Sequence, residues 1–183
     1  MPARIPELKP EELSERQKAL QAAMAAAFRG PVQGPFPLWL RNPDLADKAN
    51  QLGNLLREGT SVPRRLSELA ILVTARHWTA QYEWFAHEHQ AIEQGVSKEV
   101  VEAIRARKRP SFAKPDEKAV YDICHDLYEA KKVSDATYKA AVDTLGQQMV
   151  VELMTIASFY AMIAMFLVTF EAPVPGDARP LPE

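Results

Sequence analysis

The chain has 183 residues, of which 47% are hydrophobic and 25% charged, and its formal net charge is −2. These proportions suit one soluble globular domain with a sizeable core, and they leave no electrostatic footprint for nucleic acid. The single cysteine, Cys124, gives no disulfide framework, and without a secretory pattern at the start the expected setting is a reducing cytoplasm.

Read in chain order, the sequence gives helix after helix and no convincing strand. Met1 to Lys9 is irregular. The stretch from Pro10 to Phe28 opens with acidic residues, runs through alanines and meets a stop at Gly30. A Pro/Gly-rich connector is expected from Gly30 to Pro37. Asn42-Pro43 supplies an N-cap and a first-position proline for a helix reaching about Glu58 and ending at Gly59. The next helices run from Pro63 or Arg64 to Trp78 and from Ala80 to Gln94, the second stopped by Gly95. Ser97 caps a short helix whose basic end, Arg105 to Arg109, complements the macrodipole and reads as a solvated terminus. Lys114-Pro115 opens a helix to Lys132, with Val120, Cys124 and Leu127 on its apolar stripe and Cys124 as a buried, inert thiol. Ser134-Asp135 starts a helix to Leu145.

Gly146 precedes the final helix, read over Val150 to Phe170, which is almost uninterrupted apolar sequence and approaches bilayer-spanning length. Glu152, Thr155, Ser158 and Thr169 soften it, and no basic flank marks a membrane side. The surrounding amphipathic helices need a central element to pack against, so the expected place of this helix is the middle of a bundle or an oligomer contact, with no membrane. The proline-rich tail, Pro173 to Glu183, cannot continue a helix and is expected to lie over the surface or a neighbouring subunit.

Chemistry concentrates in Ala80 to Gly95. Glu83 and His87 stand four residues apart, on one helical face, as a carboxylate beside an imidazole. Tyr82, Trp84 and Phe85 bring aromatic surface that lowers the local dielectric and shifts the pKa values of such a pair. The same spacing also serves a purely structural helix pair, and spacing alone does not choose between the two. His87 and His89 are two residues apart and diverge around the helix, so they form no joint ligand set. No phosphate-binding glycine loop and no compact metal-ligand cluster is present. The expectation is therefore no cofactor and no metal, with a site built on Glu83, His87 and either Glu68 or His125 left open.

Together, Val62 to Trp78 and Ala80 to Gly95 resemble the carboxymuconolactone decarboxylase family, within the wider alkylhydroperoxidase D-like superfamily. In the peroxidase branch a glutamate on one helix is followed by a Cys-x-x-Cys pair opening the next, with a histidine four residues beyond the second cysteine. Carried over by position, the glutamate is Glu68 and the histidine is His87, while Ala80 and Glu83 occupy the two cysteine positions. Phe159 to Ala164 resembles the family's closing helix. The resemblance implies an all-α, alkylhydroperoxidase D-like multi-helix domain, forming a homo-oligomer, trimeric or hexameric, with sites near subunit contacts. It departs from the family at the chemistry, since dithiol exchange needs an attacking thiolate and a resolving partner.

The leading expectation is a cofactor-independent enzyme acting by proton transfer on a small carboxylated or lactone substrate. In that reading His87 is the general acid/base, Glu83 its partner carboxylate and Glu68 a second carboxylate carried over from the family relay. Tyr82 donates to a developing enolate, and Arg76 holds a substrate carboxylate unless it simply pairs with an acidic group. Two other readings stand beside it: a peroxidase using a non-dithiol route through Cys124, and a non-catalytic oligomeric ligand-binding protein of the same fold.

Overall fold

A computed structural model describes residues 3–28 and 32–182. Among them are nine α-helices and no strand: α1 (Glu15–Phe28), α2 (Phe36–Trp39), α3 (Pro43–Glu58), α4 (Arg64–Trp78), α5 (Gln81–Glu93), α6 (Lys98–Arg105), α7 (Pro115–Ala130), α8 (Asp135–Leu145) and α9 (Gln147–Thr169). Short 3-10 turns lie at Pro10–Glu12 and Pro175–Asp177.

Local signals set most boundaries. The side chains of Asn42, Ser97 and Ser134 accept the backbone N–H groups of Leu45, Val100 and Thr137, satisfying donors that a helix start leaves orphaned. The first helix begins later than the acidic run at Pro10 suggests. Leu13 is extended, and Ser14 and Gln17 exchange backbone-to-side-chain bonds of 2.8 and 3.3 Å as a capping box. The expected stop at Gly30 lies outside the described residues. The connector expected up to Pro37 is corrected at its end, where Phe36–Trp39 forms α2 because Phe36, Trp39 and Leu40 are apolar enough to be drawn into the core.

The centre of the fold is α4, buried from Leu66 to Arg76 and packed most extensively against α9, α5 and α7. The core takes side chains from α1 (Met24) through α8 (Ala141) and α9 (Leu153, Ile156). Among the described residues α9 alone has the length and hydropathy of a membrane span, yet half of its most apolar window is buried in the bundle. Its exposed side carries Val151, Met162, Met165 and Val168, with Leu52 and Leu55 exposed on α3.

A tight link joins α4 to α5. Thr79 is left-handed at φ 49°, its N–H donates to Arg76 O, and Ala80 N–H donates to Ala75 O at 2.9 Å, a Schellman closure built without glycine. The C-terminal tail folds back onto its own chain. Gln81 holds Leu181 through two 2.9 Å bonds to its backbone, Pro180 O accepts from Arg105, and Leu181 is buried.

Candidate active site

The α4–α5 hairpin brings one imidazole between two carboxylates. Glu68, on α4, is 0% exposed, and its Oε2 lies 2.7 Å from His87 Nδ1. Glu83, one turn before His87 on α5 and 3% exposed, places Oε1 3.4 Å from His87 Nε2. A fully buried carboxylate is costly unless charged or hydrogen-bonding partners compensate it. Glu68 receives two: His87 on one oxygen, and Arg64, one turn earlier on α4, 3.0 Å from the other. That Arg64 contact is an ion pair without hydrogen-bond direction, so Glu68 Oε1 has no directed donor. Arg64 also reaches Gln90 on α5 at 3.3 Å.

Glu83 is in the opposite condition. Its Oε1 is buried with no hydrogen bond among the described residues. Burial pushes its carboxyl from 4.5 up to about 7, helped by Glu68 and opposed by His87. Burial works against a charge on His87, but the hydrogen bond it donates to Glu68 and the two carboxylate charges outweigh it and raise the imidazole. A carboxyl raised to about 7 and an imidazole raised above its ordinary value therefore stand in contact, an arrangement suited to general acid/base chemistry.

Both open onto a cavity of about 500 Å³ between α5, α9 and the segment before α2. Phe36, Phe159 and Ile163 give it apolar walls, and Tyr82, Tyr160 and Arg57 give it polar ones. Tyr160 meets His87 edge-on, with ring centroids 5.1 Å apart. Burial raises its hydroxyl to about 12, so it stays neutral; its oxygen accepts a hydrogen bond from Arg57. Tyr82 bonds Gln33 at 3.3 Å, and burial raises its hydroxyl too. Gly34 sits against that ring at φ 68°, a conformation that favours glycine, and an added Cβ would lie a tight 3.3 Å from Tyr82 Cε1.

Of the residues read from the sequence, His87, Glu83 and Tyr82 line this cavity, and Glu68 sits behind His87. Arg76 is not brought to it. That side chain turns toward the end of α6, donating to Arg105 O at 2.8 Å and Thr79 Oγ1 at 3.1 Å, and lines a different cavity. It therefore stands apart from the cavity that His87 and Glu83 line. The arginine that lines the cavity is Arg57. Sequence reasoning also missed Arg64, whose four-residue spacing to Glu68 was the available signal, and Tyr160, whose approach depends on tertiary packing. Cys124 is fully buried on α7, away from this cavity, and burial pushes its thiol up to about 12. Among the described residues no group of three or more His, Cys, Asp or Glu side chains could hold a metal ion. In the relay itself, carboxylates flank both imidazole nitrogens.

No family model matches the sequence, and no curated protein matches it. Solved structures do match its shape. A peroxidase-related protein from Silicibacter sp. TM1040 superposes with a TM-score of 0.77 at 12% identity, over 98% of this chain and 95% of that one. A cysteine-to-alanine variant of the debrominase Bmp8, in complex with 2,3,4-tribromopyrrole, gives 0.76 at 14% identity over 98% and 95%. An Agrobacterium tumefaciens protein of unknown function, described as a candidate antioxidant defence protein AhpD, gives 0.62 at 12% identity over 75% and 95%. The chain thus has the all-α, alkylhydroperoxidase D-like fold, and the resemblance read from Glu68 and His87 holds at that level. Within that fold Glu68 and His87 keep the glutamate and histidine of the peroxidase pattern, while Ala80 and Glu83 stand where that pattern places its thiols.

Proposed function

We propose that this protein is a cofactor-independent enzyme that moves a proton to or from carbon in a small carboxylated or lactone substrate. The observation that carries the reading is Glu83: a carboxyl raised to about 7, without a hydrogen bond, at the wall of a cavity and beside His87. In a decarboxylation the carbon–carbon bond breaks, carbon dioxide leaves, and the electron pair passes into a conjugated carbonyl as an enolate. Arg57 draws the substrate carboxylate, while Tyr82 or Tyr160 donates to the enolate oxygen. The proton returned to carbon comes from His87 Nε2 or from the protonated Glu83 carboxyl, and Glu68 with Arg64 holds the imidazole in place. The debrominase complex with a small planar ring supports a ligand of that size in this fold.

The test is consumption of a panel of β-keto acids and lactone carboxylates in deuterated water. Turnover should place one deuterium on the product carbon, and His87→Gln should lower the rate about 10²- to 10⁴-fold with helicity unchanged. No turnover across the panel, or turnover indifferent to His87→Gln, would overturn the reading. Exposed Val151, Met162, Met165 and Val168 on α9, with Leu52 and Leu55 on α3, support the further reading that the protein is a homo-oligomer. Light scattering giving the monomer mass would remove it.

A further inference from the structure

A second cavity, of about 180 Å³, lies on the far side of α4, between α4, α7 and the turn after α6. Its cationic lining is Arg76, Arg107 and Lys108, its histidines are His77 and His125, and Glu129 is its one carboxylate. Glu129 lies 3.9 Å from His77.

Arg76 is the anomaly. It is 4% exposed, yet no carboxylate is within ion-pair distance of it among the described residues. Its partners are a carbonyl and a hydroxyl, both neutral. The hydroxyl, Thr79 Oγ1, is shared with Arg107, which donates to it at 3.0 Å. Two guanidinium groups thus converge on one uncharged oxygen, and burial together with Arg107 depresses the Arg76 pKa. A buried cation is ordinarily paired, because the loss of hydration must be offset. Here three cations share the cavity with one carboxylate, Glu129, which lies against His77 and leaves Arg76 without an anionic partner among the described residues.

The remaining walls are aromatic and aliphatic. His77 stacks on Tyr128 with centroids 4.6 Å apart, Tyr121 stacks on His125 at 5.3 Å, and Val73 and Ile104 complete the lining. A cavity of about 150 Å³ holds a benzene molecule, so this one has room for a single ring with a charged substituent. A bare phosphate would satisfy the cations and leave the apolar walls unused.

We infer that this cavity is a binding site for a small planar organic monoanion, an aromatic or heteroaromatic carboxylate, with the carboxylate on Arg76 and Arg107 and the ring against the stacked aromatics. The site is separate from the Glu-His-Glu cavity and does not depend on its chemistry.

The test is calorimetric titration of the full chain with sodium benzoate, and with inorganic phosphate, at low ionic strength. Benzoate should bind saturably at one site per chain and more tightly than phosphate. Arg107→Gln, a change at an exposed side chain compatible with the fold, should weaken benzoate by about tenfold or more, as loss of a charge-assisted hydrogen bond does. Arg76→Gln should abolish binding, with circular dichroism verifying its helicity, and His87→Gln should leave binding unchanged. Absence of saturable benzoate binding, phosphate binding at least as tight, or binding indifferent to Arg107→Gln would overturn the proposal. Loss of binding in His87→Gln would move the ligand to the other cavity and overturn it equally.

Discussion

Replacing Glu83 by glutamine keeps the shape of the side chain and removes its titration, so it isolates the electrostatic cost of the buried carboxylate. In the folded protein the group titrates at about 7 rather than 4.5. Between those values the native state keeps a proton that the unfolded chain has released. The associated stability is fully present below the unfolded value and is lost as pH rises through the folded one. The difference, at 1.36 kcal/mol per unit, amounts to about 3 kcal/mol. His87, which burial opposes but the bond it donates to Glu68 raises, acts in the same sense. Its contribution is fully present below its ordinary value of 6.5 and is lost as pH rises through its folded one. Urea denaturation from about pH 5 to about pH 9 should therefore show the wild type losing stability as pH rises, and Glu83→Gln losing much less, ending up to about 3 kcal/mol more stable at the alkaline end. Parallel profiles, or a wild type that gains stability over this range, would refute the reasoning.

Cys124 should resist a thiol reagent in the native state and react fully on unfolding, and Cys124→Ser should leave any turnover intact, because burial raises the thiol to about 12. Leu153→Ala removes a fully buried side chain from the α9 face and should cost about 2–5 kcal/mol in urea denaturation, with an unchanged denaturant slope. Gln81→Ala deletes both bonds to Leu181, worth together about 1–3 kcal/mol, and the exchange rate of the Leu181 amide should rise accordingly.

Much of the fold is legible in the chain because its punctuation is local. Asn42, Ser97 and Ser134 cap the helices they precede, and Gly95 and Gly146 adopt the positive φ that ends one helix or admits the next. The pairing of Glu83 with His87 follows from helical spacing, and Glu68 from the resemblance. What escapes is decided by tertiary neighbours. Because α4 is buried on every side from Leu66 to Arg76, periodicity cannot tell which wall Arg76 faces, and the end of α6 claims it. Arg105 likewise reads as a solvated helix end, yet it lies over Trp84, pairs with Glu88 and holds Pro180, none of them near it in sequence. The four residues of α2 are too few to show a period. Their helix exists because Phe36 and Trp39 pack edge to face, 5.3 Å apart, beneath it.

The 2.7 Å bond between Glu68 and His87 also makes the imidazole a gauge of how the hairpin is seated. One residue of helix advances 1.5 Å, so slippage of α5 against α4 by even that much would carry Nδ1 out of bonding range. The ring's chemical shifts and tautomer should therefore report the first partial openings of the molecule, at denaturant concentrations where far-ultraviolet circular dichroism still registers a full complement of helix.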